Sequence, residues 1–238
     1  LTYITPMRNF YLLILLLITA TNSFSQCIDV DWLNPQPQGN DLRGMQIYSD
    51  DTAYFVGQGS TFMRTYDGGA TWYQNKIWGV NGVDVFFTNT QTGYVCGFDG
   101  NYGRLYKTLD AGVTWSLILS APGPQQSFFD ICFLNSDTGY MGASGGVIYK
   151  TVDAGATWTI KNTGGINSVQ QVQFLTSQIG FALMPNTQVS RTIDGGDSWQ
   201  VTNLPAGNTI KKMHFADTLH GMIITSGSSP NYKTSDGG

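Results

Sequence analysis

A seven-residue run recurs along this chain at a nearly fixed interval. Its copies are Tyr66-Asp67-Gly68-Gly69-Ala70-Thr71-Trp72, Leu109-Asp110-Ala111-Gly112-Val113-Thr114-Trp115, Val152-Asp153-Ala154-Gly155-Ala156-Thr157-Trp158 and Ile193-Asp194-Gly195-Gly196-Asp197-Ser198-Trp199, with a fifth start at Ser235-Asp236-Gly237-Gly238. From Asp to Asp the spacings are 43, 43, 41 and 42 residues. So constant a period marks one supersecondary unit copied along the chain, and such a unit buries its faces only by stacking on its neighbours. The repeat constrains architecture; by itself it names no ligand, substrate or reaction.

Superposed, the units show four strand signals each. The first is an alternating apolar pair (Met45/Ile47, Val85/Phe87, Ile131/Phe133, Val172/Phe174, Met213/Phe215), and period-two alternation marks a strand. The second is apolar on both faces (Tyr54-Phe55-Val56, Tyr94-Val95-Cys96, Tyr140-Met141, Phe181-Ala182-Leu183, Met222-Ile223-Ile224), as in strands buried on two sides. A Gly-rich loop leads to the third, the Asp-Gly run makes a tight turn, and Trp opens the fourth. Four antiparallel strands every 40 or so residues is the signature of a β-propeller blade. The sequence thus predicts an all-β fold with blades over about 42–76, 83–119, 128–161, 169–203 and 210–238. Asp31-Trp32-Leu33-Asn34 resembles a fourth strand without a first, so 29–34 is expected to close the ring. Because Asp236 starts a turn of its own blade, the blade that takes Trp32 is expected beyond Gly238, giving six or more blades and making this chain part of a longer one.

Only 12% of residues are charged, no Glu occurs, and the net charge is −4. That excludes the clustered Lys and Arg of a nucleic-acid footprint. Met7-Arg8-Asn9, the apolar run 10–20 and small Ser23 and Ser25 read as an export signal over 7–25 with the propeller at 26–238. The apolar run is too short for a membrane span, so none is expected once the signal is cleaved. Bulky Gln26 suits lipidation of Cys27 poorly. Cys27, Cys96 and Cys132 match no metal spacing, and no cofactor or metal is expected. Cys96 aligns with Val56 and Leu183 as a buried apolar residue; a Cys96–Cys132 bridge stays open.

The repeated run resembles the Asp-box, or bacterial neuraminidase repeat, Ser/Thr-x-Asp-x-Gly-x-Thr-Trp/Phe. Asp67, Asp110, Asp153, Asp194 and Asp236 are expected to accept turn amides. Gly69, Gly112, Gly155 and Gly196 are expected at positive φ. Thr71, Thr114, Thr157 and Ser198 are expected to bond across the hairpin, and Trp72, Trp115, Trp158 and Trp199 to pack toward the next blade. Five carboxylates on five blades are too dispersed for one site, so the run reads as structural. With the Thr-Gly-Tyr-x-x-Gly turn at Thr92–Gly97 and its near copy at Thr138–Ala143, it looks like the photosystem II assembly-factor type of propeller. Sortilin-like propellers are more distant relatives. That resemblance implies a binding or scaffolding role, and such propellers also occur in exported bacterial proteins without a photosynthetic role. The Phe-Ser-Gln end of the signal is similar to that of exported Bacteroidetes proteins, which implies type IX secretion through a C-terminal sorting domain.

The expectation is therefore a secreted or cell-surface, non-catalytic module, monomeric within a longer chain, that binds a protein or glycan. Recognition is expected on loops sharing one face, at Trp78, Phe98, Asp99, Asn101, Tyr102, Gln125, Gln126 and Tyr232. The alternative is a secreted glycosidase, sialidase-like or another Asp-box enzyme. It lacks Arg-Ile-Pro and any Glu, so its acid and base would be two Asp residues. Asp84 and Asp130, at equivalent starts of first strands, are the candidates; satisfaction by turn amides is the reading preferred for both. His214 aligns with Gln173 and is expected to be packed.

Overall fold

Strand alternation and Asp-Gly turns translate into five antiparallel meanders. The computed structural model describes residues 39–123, 125–185, 188–205, 209–226 and 231–237; the export signal at 7–25 and the closing strand at 29–34 lie outside them. Blade 1 comprises β1 (Leu42–Ile47), β2 (Ala53–Gly57), β3 (Thr61–Thr65) and β4 (Tyr73–Lys76). Blade 2 comprises β5 (Asn81–Phe87), β6 (Gly93–Phe98), β7 (Gly103–Thr108) and β8 (Ser116–Ser120). Blade 3 comprises β9 (Phe128–Phe133), β10 (Gly139–Ala143), β11 (Val147–Thr151) and β12 (Thr159–Asn162). Blade 4 comprises β13 (Gln171–Phe174), β14 (Gly180–Met184), β15 (Gln188–Thr192) and β16 (Gln200–Asn203). Among the described residues blade 5 shows three strands, β17 (Thr209–Phe215), β18 (Gly221–Ser226) and β19 (Tyr232–Thr234). No helix occurs among the described residues, hence none long and apolar enough to cross a membrane.

The sheets form an open β-propeller arc. β1 packs on β5, β5 on β9, β9 on β13 and β13 on β17, and no comparable contact returns from β17 to β1 among the described residues. The apolar core is accordingly split into four clusters, one per seam. Across each seam a β2-type aromatic of one blade stacks on the last Phe of the next inner strand. Tyr54 lies 3.7 Å from Phe87, Tyr94 4.3 Å from Phe133, Tyr140 3.5 Å from Phe174 and Phe181 3.5 Å from Phe215, all near parallel. Cys96 is buried beside these rings, as its alignment implied, and both Cys96 and Cys132 are free thiols, so no bridge joins them. Met141 and Met184 are core.

The stack dictates a glycine. Each stacked Phe lies over the first residue of the adjacent β2-type strand, Gly93, Gly139, Gly180 or Gly221. A Cβ at Gly139 would stand 2.6 Å from Phe133 Cε1. Side-chain amides fix the register where the seams lack a backbone ladder. Gln46 accepts Phe87 N–H (2.5 Å) and donates to Phe87 C=O (3.2 Å). Gln171 does the same with Met213, and Gln173 with Phe215. His214, in the Gln173 column, is exposed instead of packed, because no further blade lies against the fifth among the described residues.

Gly139→Ala is expected to cost about 2 kcal/mol through this overpacking, read as a lowered melting temperature with unchanged circular dichroism; an unchanged melting temperature would show that the ring can shift freely.

Candidate functional site

The repeated turn carries a carboxylate in every copy: Asp67, Asp110, Asp153, Asp194 and Asp236. Asp67 Oδ1 accepts Thr71 N–H and Thr65 O–H (both 2.8 Å), and Oδ2 accepts Thr71 O–H (2.6 Å). Thr65 Oγ1 in turn accepts Gly69 N–H at 2.9 Å. Asp110, Asp153 and Asp194 repeat the pattern with Thr114, Thr157 and Ser198, and Thr234 O–H donates to Asp236 at 2.7 Å. Gly69, Gly112, Gly155 and Gly196 have φ between 80° and 93°, and the residues before them, Gly68, Ala111, Ala154 and Gly195, are left-handed too, as is Gly237 at that same position of the fifth turn. The hydroxyl and amide of the following Thr hold Asp67, Asp110 and Asp153 down at about 2. These carboxylates are ionised acceptors already occupied by their own turn, a poor disposition for acid–base chemistry.

Trp115, Trp158 and Trp199 pack toward the preceding blade, not the next as the sequence suggests, and Trp72 packs on Phe55 of its own blade. Trp115 meets Phe62 of blade 1 as well as its own Phe87, and Trp158 and Trp199 sit equally on blades 2 and 3. The chain returns outward from a turn that is itself held from behind: Arg64 donates to Ala111 C=O (2.7 Å), Lys107 and Tyr94 O–H to Ala154 C=O (both 2.8 Å), and Tyr140 O–H to Gly195 C=O (3.0 Å). The turn is thus an interblade latch as well as a hairpin lock.

At the opposite end of the strands, the inner strands begin around an axial cavity of about 210 Å³. It is lined by Arg43, Val83, Asp84, Phe129, Asp130, Gln170 and Lys212. Bulges between Leu42 and Gly44, Gly82 and Asp84, and Gly142 and Ala143 interrupt the pairing beside Arg43, Val83 and Phe129. A bulge turns an extra side chain out of strict alternation, which is how Arg43, Val83 and Phe129 join the lining. Asp84 and Asp130 do face this funnel, half-buried, but neither is satisfied by a turn amide as the preferred reading had it. Asp84 Oδ2 accepts Ile131 N–H (3.0 Å) and Asp130 Oδ2 accepts Val172 N–H (2.7 Å), each from the next blade. They occupy the column of Gln171, and a carboxylate can stand in for its amide oxygen. Burial pushes both carboxyls up, Asp84 to about 6, and Asp130 is raised further by Asp84 beside it, while Lys212 pulls both down.

The loop residues named from the sequence divide in two. Trp78, in the β4–β5 loop, is 72% exposed, with Lys76 Nζ 4.8 Å from its ring and its carbonyl accepting Tyr106 O–H at 2.9 Å. Phe98 ends β6 under the Arg43 guanidinium (5.7 Å), which ties it to the cavity. Asp99 accepts Arg104 Nε at 2.7 Å and Tyr102 N–H at 3.0 Å, and Arg104 lies 5.6 Å over the Tyr102 ring. Asn101 C=O accepts Gln125 N–H at 2.6 Å, and Gln126 bridges to Tyr102. These seven residues gather at the loops around blade 2. Tyr232 is not with them: it sits within β19 and lines a cavity between blades 4 and 5, because alternation turns it to the preceding blade. Arg43, Gln170 and Lys212 were not singled out in the sequence; a bulge and a cross-axis approach leave no local signal.

Residues 31–180 match the family model described as Photosynthesis system II assembly factor YCF48. Similar solved structures include one described as YCF48 bound to D1 peptide, with 22% identity, 82% of this chain and 65% of that chain covered, and a TM-score of 0.66. Another is YCF48 from Cyanidioschyzon merolae, with 18% identity, 85% and 84% covered, and a TM-score of 0.57. An ancestral GH74 enzyme shares 16% identity over 81% of this chain and 28% of its own, with a TM-score of 0.66. At these identities the likeness is one of fold, and the chain spans 65% of the first of these structures. No curated protein matches.

Two pH effects of opposite sign follow. The turn carboxyls, with folded values near 2 against an ordinary value of about 3.9, stabilise fully above pH 4 and lose that contribution as pH falls to about 2. Asp110→Ala is expected to lower the melting temperature by several degrees at pH 7 and to flatten its acid limb. The funnel pair, raised on folding, contributes most below about pH 4 and loses it as pH rises through about 6. Asp84→Asn/Asp130→Asn, which keeps an oxygen for each N–H, should melt several degrees higher above pH 6 and like the wild type near pH 4; identical profiles would refute the assignment.

Proposed function

Because this chain belongs to the Photosynthesis system II assembly factor YCF48 family, we propose that it is a non-catalytic binding propeller that takes an extended segment of a partner protein. The segment lies across the mouth of the axial cavity and the blade 2 loops. The observation that carries this reading is the continuity of that face. Arg43 lines the polar cavity and covers Phe98, and the exposed Trp78 and Tyr102 flank the same loops. Aromatic rings beside amide and guanidinium groups suit polypeptide recognition. The solved relative's title describes it as bound to a D1 peptide, which supports a peptide ligand here without naming it. The Asp-box carboxylates are read as structural, and the sequence of 7–25 supports export to the cell surface or medium.

Glycoside hydrolysis is the second reading, favoured by one feature: Asp84 and Asp130 line a single cavity. Each spends an oxygen on a strand amide of the next blade, which suits a seam acceptor better than a proton donor to substrate.

A peptide display library and a glycan array probed with the full chain test both readings. Peptide binders are expected, with affinity reduced at least tenfold in Trp78→Ala, Tyr102→Ala or Arg43→Ala. Binding undiminished by all three would remove this face, and turnover of a glycan abolished by Asp130→Asn would establish the enzyme instead.

A further inference from the structure

One hairpin departs from the repeat. Nine residues separate Cys96 from its cross-strand partner Leu105 in blade 2. Only six separate Val56 from Phe62, Gly142 from Ile148 and Leu183 from Val189 in blades 1, 3 and 4. Those blades stack and latch without the added residues, so packing does not call for them. In blade 2, β6 and β7 run on to Phe98 and Gly103 and close over Asp99-Gly100-Asn101-Tyr102, with Gly100 at φ 99° supplying the left-handed step.

The extension is fastened from three directions. Across its own turn, Asp99 Oδ1 accepts Tyr102 N–H and Asp99 N–H donates to Tyr102 C=O, both at 3.0 Å. From β7, Arg104 Nε donates to Asp99 Oδ2 at 2.7 Å, a second guanidinium nitrogen reaches the same oxygen, and the third meets Ser120 Oγ on β8. From the chain entering blade 3, Gln125 N–H donates to Asn101 C=O at 2.6 Å, Gln126 C=O accepts Gly103 N–H, and Tyr102 bridges to Gln126. Gln125 holds φ 63° there, a left-handed conformation unfavourable for a residue with a Cβ. Blades 1, 3 and 4 carry Thr61, Val147 and Gln188 at the position of Arg104, and none of these can make the pair. All three fastenings converge on Tyr102. Its ring is partly exposed with the guanidinium 5.6 Å from its centre, and its hydroxyl meets no partner among the described residues.

On the reading that the loop face seats a partner segment, we propose that the long β6–β7 hairpin is a preset recognition arm with Asp99 and Arg104 as its positioning pair, fixing the Tyr102 ring in the pose that an incoming extended polypeptide meets. A surface ion pair adds little to global stability, so holding the fold together is not what this one is for. It orders the loop before the partner arrives, and the conformational freedom that a loose loop would lose on binding is no longer at stake. The planar fork is essential, because it joins Asp99 and Ser120 at once, which the single ammonium of a Lys does not reproduce.

Three variants of the full chain test the pair. Arg104→Met keeps the stem without the fork, Arg104→Lys keeps the charge without the fork, and Asp99→Asn keeps an acceptor for Tyr102 N–H without the charge. The probe is a peptide selected on the wild-type chain from a random display library. All three variants are expected to melt within about 2 °C of the wild type, to exchange the Tyr102 amide about tenfold faster, and to bind the peptide about fivefold more weakly. Undiminished affinity in a folded Arg104→Met variant would overturn the proposal, as would full affinity in Arg104→Lys. Weaker binding with unchanged exchange at Tyr102 would make Arg104 a direct contact and end its positioning role. Peptides weakened by Trp78→Ala but bound equally by Arg104→Met would remove the pair and leave the face; a library giving no peptide weakened by Trp78→Ala would remove the face itself.

Discussion

Tyr54 lies flat on Phe87, Tyr140 on Phe174 and Phe181 on Phe215 at about 3.5 Å, and each of these stacks joins two sheets that share no backbone ladder. Burying one such ring is worth about 1.5–3 kcal/mol, with about 0.5–1.5 more for the pairing geometry. A single lateral hydrogen bond adds about 1. The rings therefore supply most of the cohesion of a seam, while Gln46, Asp84, Asp130, Gln171 and Gln173 set its register. The glycine that opens each β2-type strand exists to let the ring lie down, and the ring in turn floors the pocket that receives the indole.

The two ends of the strands have been given different work by this arrangement. At the turn end Asp67, Asp110, Asp153 and Asp194 are saturated by their own Thr or Ser, and the carbonyls of Ala111, Ala154 and Gly195 are taken by Tyr, Lys or Arg of the blade behind. Groups so fully engaged have nothing left to offer a ligand. At the loop end, bulges free Arg43, Val83 and Phe129 from the ladder, and the funnel gains mixed charge and exposed rings. A rigid lower rim and a chemically varied upper one are what a recognition scaffold requires.

Blade periodicity and the turns were legible because each depends on residues close in sequence. Val85 and Phe87 alternate, and Asp67 reaches only to Thr71. What the sequence did not disclose is set by the neighbouring sheet. Asp84 looked like a strand-start residue capped by its own turn, yet its partner is Ile131, 47 residues away. Trp115 packs backward onto Phe62, a direction no spacing encodes. Tyr232 falls among loop residues in the alignment but belongs to a strand face, and Arg43 and Lys212 reach one cavity from blades 1 and 5. Local chemistry specified the blade; the seam specified the candidate site.

The latches also give the arc a sense. The turns of blades 2, 3 and 4 are each grasped by side chains of the blade before them. Trp72, with no blade behind it among the described residues, turns to Phe55 of its own sheet, and its buried Nε1 finds no partner there. Blades 2, 3 and 4 inherit a finished socket. Nearest-neighbour coupling in a repeat array is commonly treated as symmetric; among the described blades the turn latches run one way, each from a blade to the turn of its successor.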